Sequence, residues 1–386
     1  MNSFSINEDY NHLFIRIKKN QYKGYNPYDL LVSPAVYNNI TNKKARLILT
    51  QINKISPINF RNILGIEKQY APKALALILS ALVKKDYNKY KNDIQFIVNW
   101  LLNNKSDKYE EYSIGFQFPI CLSFYQSEKN SPSLIISLFV MYGLIDYYKL
   151  YGDNKVYKAI ISFQHLINTK LPKKETKDVL YYSYNFEKFD EVYNATAKIG
   201  KYYALLYSIV QDESLLMKID KILNYLYLNQ REDGSWIYAS NIKYSDSFHT
   251  AFILEAILIM SKLVAKTKYK KMFEIGLLNY KKSFIKDTGQ VLYIHPDHPN
   301  TGLRKLTAVT QTDIRDCAMA IILCNKLKMT DYSKRILDWT FDKMYSRKNN
   351  YFYFYKEKYW TNKIEFIRPQ AWMLYAISTF NSTENI

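Results

Sequence analysis

Asp246 and His249 stand three residues apart in the stretch DSFHTAFILEAI, and Asp313 and Asp316 stand three apart in TDIRDCAMAI. Residues at that spacing share one side of a helix. A carboxylate beside an imidazole can orient the ring for acid/base work. Two carboxylates together can share a proton or stand on either side of a glycosidic bond. The blander reading is that each Asp sits in a first helical turn, where the helix dipole favours an anion, and that the His is a satisfied core residue. Asp246, His249 and Asp313 form the candidate acid/base set. Glu255, two turns deeper and on another face, reads as a buried, paired carboxylate.

Groups that could hold a substrate lie around this set. Arg315, between Asp313 and Asp316, can bind an anion. Asp29 lies in the Tyr28-Asp29 turn, and Asn194 starts the helix at Tyr193. Arg368 and Gln370 begin the last helix, after the polar-aromatic edge Tyr359-Trp360-Thr361-Asn362. Trp236, Tyr238 and Trp360 offer flat apolar faces with polar tips, which suit the C–H faces of pyranose rings. His295 and His298, in HPDH, have metal-ligand chemistry but sit in a proline-bounded loop with no third ligand in view. We therefore assign no metal and no cofactor. The chain has no GxxxxGK[ST], GxGxxG, HExxH or GxSxG motif, so nucleotide, zinc-protease and serine-hydrolase chemistry have no support.

The elements that must position these residues form a repeat. Helical periodicity runs over 72–85, 90–103, 133–151, 155–168, 193–211, 214–230, 246–265, 269–286, 312–328, 332–344 and 368–380. Shorter helical pieces are expected at 10–18, 44–54 and 57–64, and Ser33-Pro34 has the chemistry of a helix start. The helix at 246–265 is apolar almost all round, as a buried helix is. Extended aromatic links begin near 115, 181, 234, 289 and 351, the one at 234 opened by an Asp-Gly turn. Paired helices recurring at this interval stack as hairpins. The unpaired last helix and the early pieces complete one another if the stack closes. The expected fold is all-α: a single α/α toroid of about six helical hairpins over residues 1–386. Closure brings the links to one end, where Phe116, Phe118, Tyr181, Tyr182, Tyr184, Trp236, Tyr238, Tyr293, Phe352 and Tyr353 either line a funnel or plug the hairpin ends.

Composition bounds the partners. The net charge of +19 over 386 residues attracts polyanions. The lysines are spread rather than bunched and no nucleic-acid motif accompanies them, so nucleic acid is not expected. An oligo- or polysaccharide is, with an acidic one favoured by the charge, and contact with a membrane surface is compatible with it. Half the weight of the 37 Tyr goes to a coding bias that also enriches Lys, Asn and Ile. Cys121, Cys317 and Cys324 are an odd set without CxxC spacing. No basic-then-apolar leader opens the chain, and the apolar run 134–144 is short for a membrane span. A reducing, cytoplasmic setting is the expectation.

The segments GYNPYDLLVSP (24–34), SPINFRNILGI (56–66), APKALAL (71–77), NQREDGSWIY (229–238), DSFHTAFILEAI (246–257), TDIRDCAMAI (312–321) and TNKIEFIRPQAWMLYA (361–376) occur in order. In these the chain resembles a bacterial family of α/α-toroid proteins encoded among polysaccharide-biosynthesis functions. The resemblance places Asp29, Asn194, Asp246, His249, Asp313 and Gln370 at motif positions; Arg315 stands where a His is expected and Asn26 where an Asp is. More distantly the chain is similar to six-hairpin glycosidases, polysaccharide lyases and glucuronyl C5-epimerases. It implies a carbohydrate-active enzyme of hydrolase, epimerase or lyase type, acting in surface-glycan synthesis. A non-catalytic glycan-binding protein on the same ring is the alternative, favoured if Asp246 and Asp313 are both buried in ion pairs. The pattern Gln230-x-x-x-Gly234-x-Trp236 resembles one repeat of triterpene cyclases, but neither DDxxD nor DxDD follows it.

Overall fold

The computed structural model describes residues 3–121, 126–242, 244–294 and 310–380. Its helices are α1 (Ser3–Lys19), α2 (Pro34–Asn39), α3 (Lys43–Ile55), α4 (Pro72–Asp86), α5 (Lys91–Asn103), α6 (Leu134–Tyr151) and α7 (Asn154–Thr169). They continue with α8 (Tyr193–Val210), α9 (Glu213–Leu228), α10 (Ser247–Leu263), α11 (Thr267–Phe284), α12 (Ile314–Lys326), α13 (Thr330–Met344) and α14 (Ile367–Ser378). The sequence-derived bounds agree to within a few residues, except that the first helix starts at Ser3 and not near 10, and that 57–64 is a turn and not a helix. There Asn59 accepts from the Arg61 amide, a local bond that competes with a helix, and Ile58 and Ile63 are exposed.

Two kinds of helix alternate. Helices α4, α6, α8, α10, α12 and α14 are buried nearly all round, while their partners bury one face. The reason is compositional: α6 reads LIISLFVMYGLID and α10 FHTAFILEAILIM, with apolar residues on every side. Each inner helix packs on the next, and α14 packs back on α4, so the inner ring closes. Outer helices α5, α7, α9, α11 and α13 each cover the inner helix before them, and α1 covers α14. The chain is thus an α/α toroid of six hairpins, one of them joining the two ends of the sequence. Arg16 of α1 clamps Glu365, just before α14, at 2.6 Å. Helix α6 is long and apolar enough to cross a membrane by length and composition, but it stands in this ring with its side chains largely buried.

The links form short antiparallel ladders, among them Lys173–Glu175 with Leu180–Tyr182, Tyr345–Ser346 with Tyr351–Phe352, and Thr310–Asp313 with Tyr355–Glu357. Residues 25–66 leave the ring as an excursion whose small core of Leu30, Leu31 and Val36 packs with Cys121 of the strand Ile120–Cys121. Ser33 caps α2 as its spacing implies, accepting from the Val36 amide.

Candidate active site

One cleft of about 1090 Å³ opens at the N-terminal ends of the inner helices. The second residue of every inner helix lines it: Lys73, Ile135, Asn194, Phe248, Arg315 and Arg368. This follows from the ring: six helices pointing the same way present the same position to the axis. His249 follows Phe248 at the third position of α10, and one turn deeper come Lys198 and Phe252. The excursion supplies a wall through Tyr28, Lys43, Leu47, Gln51 and Lys54, and the links supply Phe116, Phe118, Tyr184, Tyr238 and Tyr293.

Asp246 is the N-cap of α10 and is 4% exposed. Its Oδ1 accepts from the His249 amide at 2.8 Å, and both its oxygens lie within 2.8 Å of His249 Nδ1. A carboxylate only accepts, so Nδ1 carries the proton and Nε2 presents its lone pair. The ring stands edge-on to Tyr238 at 4.7 Å between centroids. Burial pushes the imidazole below its ordinary value, Asp246 opposes this, and Lys198 and Arg315 reinforce it. The Asp246 carboxyl is held below its usual value: burial acts upward, but His249 and Arg315 outweigh it. Capping and ring orientation, weighed as alternatives from the sequence, are done by the same carboxylate.

Asp313 caps α12 through the Arg315 amide, and its carboxylate is forked by the Arg315 guanidinium at 2.9 Å. Asp313 is 1% exposed and does not line the cleft; Arg315 stands between it and the opening. Asp316 is fully buried, and burial, then Asp313 and Asp246, push its carboxyl well above the usual carboxylate range. The carboxylates that do line the cleft, Glu128, Glu187 and Asp190, are bonded to Tyr37, Lys108 and Asn185.

Of the other expected residues, Tyr238, Asn194, Arg315 and Arg368 line the cleft. Trp236, Trp360, Gln370 and Asp29 do not. Trp236 is a plug, 1% exposed, donating to the Leu226 carbonyl at 2.9 Å. It seats against Gly276, where a Cβ would come within 2.7 Å of the indole ring. Trp360 donates to the Ile55 carbonyl at the end of α3. Gln370 spends its amide on the backbone of Phe352 and Phe366. Asp29 is clamped by Arg61 at 2.9 Å and accepts from the Asn26 amide, while Asn26 accepts from the Tyr28 amide. Its role is to hold the turn that carries Tyr28. His295 and His298 lie outside the described residues. Glu255 is buried and paired, to Lys201 at 2.8 Å and Lys326 at 3.8 Å.

Sequence reasoning missed Tyr28, Lys54, Lys73 and Lys198. Burial pushes the Tyr28 phenol up, but Lys54, Arg315 and Arg368 outweigh it and bring it to about 8. Lys198 donates to Asn194 at 2.8 Å and lies 3.6 Å over the Phe252 ring. Lys73 lies 3.7 Å over Phe139, with Phe248, Phe252 and Trp372 also within 6 Å. Burial, then neighbouring cations, drive both ammonium groups well below the ordinary lysine value. For Lys73 the available signal was positional, since a Lys one residue inside a helix start runs against the dipole; Tyr28, Lys54 and Lys198 carried no such signal.

No protein-family model matches the sequence, and neither does any curated protein. Solved structures do match in fold. The cellobiose 2-epimerase of Bacillus thermoamylovorans superposes with a TM-score of 0.63 at 15% identity, over 81% of this chain and 90% of that one. The GH76A α-1,6-mannanase of a Salegentibacter species, an inactive variant in complex with α-1,6-mannotriose, gives 0.56 at 11% identity, over 81% and 89%. A D-mannose isomerase gives 0.56 at 11% identity, over 79% and 84%. The chain shares the six-hairpin toroid of these proteins, as the distant resemblance implies.

Proposed function

We propose that this toroid is a carbohydrate-active enzyme that moves a proton at a sugar carbon, with His249 as base and Asp246 as the carboxylate that orients it. The carrying observation is the Asp246–His249 pair, whose ring is 29% exposed at the cleft wall while the carboxylate is 4% exposed. The saccharide reading draws support from fold neighbours named as a sugar epimerase, a sugar isomerase and a mannanase. Hydrolysis by two carboxylates is disfavoured, because that chemistry needs both to flank the bond, and Asp246 and Asp313 face His249 and Arg315 instead.

In the proposed step Nε2 takes a proton from carbon, and the electron pair moves onto an adjacent carbonyl oxygen. Arg315 and Lys198 stabilise the charge that develops. A phenol then returns a proton to the opposite face of the same carbon, giving an epimer; alternatively a neighbouring C–O bond breaks, giving an elimination product. Tyr28, Tyr238 and Tyr293 all line the cleft.

The basic lining supports an acidic glycan, and synthesis of a surface glycan is the setting in which the motif resemblance puts it. Buried free cysteines at 121, 317 and 324 support a reducing, cytoplasmic compartment. Exposed Ile48, Ile52, Ile58, Phe60 and Ile63 on the excursion support contact with a membrane surface. An isoprenoid cyclase fits poorly, since a floor of cations would repel a carbocation.

The test is incubation with acidic and neutral saccharides in deuterated water, read by NMR. Deuterium should enter at one sugar carbon. His249→Ala should abolish exchange with the helical circular dichroism intact, and Asp246→Asn should slow it about 10²–10⁴-fold. Hydrolysis without deuterium on carbon would sink the proton-transfer reading. A second reading, non-catalytic glycan binding, is favoured by the burial of both carboxylates, Asp246 hydrogen-bonded to His249 and Asp313 paired with Arg315. It predicts binding without product, unchanged in His249→Ala.

A further inference from the structure

The second position of an inner helix is an unfavourable place for a cation. The unsatisfied amides of the first turn and the aligned peptide dipoles make that end positive. Here three of the six second positions are basic: Lys73 of α4, Arg315 of α12 and Arg368 of α14. The ring makes α14 a neighbour of both α4 and α12, so these cations are adjacent around the axis. Arg315 has Asp313 as a partner. Arg368 is 8% exposed, and its Nε and Nη1 have no hydrogen-bond partner. Its guanidinium carbon sits 5.7 Å from the centre of the Tyr28 ring. Among the described residues no carboxylate forms an ion pair with Arg368 or Lys73. Lys73 is 8% exposed and is surrounded by aromatic rings.

A buried guanidinium with idle donors costs free energy unless something accepts from it. The aromatic faces around Lys73 offset part of its desolvation but supply no counter-charge. Both side chains border the cleft, so an acceptor can arrive from solution. The amides of the first turns, the fork of Arg368 and the point charge of Lys73 all suit one small oxyanion.

We infer that Arg368 and Lys73, with Arg315 beside them, form a receptor for a single anionic group, a carboxylate or a phosphate ester, carried by the saccharide that enters the cleft. This rests on the proposed function for the sugar part alone; the anion site stands on its own residues. It fixes the orientation of the substrate: the charged group goes to the α4–α14 side of the ring, and the reacting carbon lies toward His249 on α10.

Calorimetric titration at constant ionic strength tests it, with glucuronate, inorganic phosphate and glucose as separate probes. Glucuronate or phosphate should bind at one site per chain and glucose much more weakly; which of the two binds better names the anion. Arg368→Gln and Lys73→Gln should each weaken that binding about tenfold or more. Lys270→Gln, on the exposed outer helix α11, should leave it unchanged. Helical circular dichroism checks the fold of each variant, and either of the first two suffices if the other fails to fold. Undiminished binding in both, or an equal loss in Lys270→Gln, overturns the receptor. His249→Ala should still bind the anion. Anion binding without turnover of any saccharide removes the catalytic reading and keeps the receptor; turnover untouched by Arg368→Gln does the reverse.

Discussion

At His249 the decisive quantity is the cost of charging a ring in a closed cleft. Burial lowers its proton affinity, and the Asp246 contact does not fully restore it. The neutral, base-competent form therefore dominates at neutral pH. Activity should fall on the acid side with a midpoint below the unperturbed 6.5. The same depression makes a stability statement. The unfolded chain takes up this proton first, so the contribution is complete above about 6.5 and is lost as pH falls through the folded value. Thermal melting of the wild type against His249→Gln between pH 7 and 5 should show the wild type losing more. On the alkaline side Tyr28, at about 8, would lose its proton first among the acids offered to substrate, closing a bell-shaped profile that Tyr28→Phe should alter.

The helix starts carry a different trade. A core helix is normally begun by a neutral or acidic residue, and α10 and α12 obey this with Asp246 and Asp313 as caps. Two residues after the cap the rule is broken by Lys73, Arg315 and Arg368. For Lys73, burial among Phe139, Phe248, Phe252 and Trp372 adds a desolvation cost to the dipole cost. Lys73→Met keeps the volume and the fit to the rings while removing the charge. We expect it to stabilise the fold by roughly 1 kcal/mol or more in urea unfolding, while weakening anion binding about tenfold or more. A destabilised Lys73→Met would mean that the ammonium group holds the ring together.

For the whole molecule, closure depends on contacts between chain ends. Helix α1 lays Tyr10, Leu13, Phe14 and Ile17 into the core, Tyr10 reaching the Ala81 carbonyl of α4, and it is the outer partner of α14. Without it the apolar face of α14 meets water, and Glu365 loses Arg16. Removing residues 1–19 should abolish a single cooperative thermal transition and expose apolar surface to a hydrophobic dye. Retention of a sharp transition near the wild-type midpoint would show that the inner ring closes unaided.

The helices, their pairing and the closing of the ring were legible in the chain itself, because they rest on local periodicity and on a unit that recurs. So was the Asp246–His249 pair, since residues three apart at a helix start meet whatever surrounds them. The inner position of α10 and the burial of Glu255 also follow from which faces are apolar. What reaches the cleft was decided only in three dimensions. Trp236 and Tyr238 are two residues apart, a spacing that alternation along an extended link would put on one face, yet one plugs the space over Gly276 and the other lines the opening; only the path of the link in three dimensions separates them. Asp313 has the same local spacing as Asp246, but an arginine two residues on folds back over it. Lys73, Arg315 and Arg368 lie far apart in sequence and become neighbours because six parallel inner helices bring one shared position to a common axis. Periodicity records which side of a helix is buried; it does not record which other helices that side will meet.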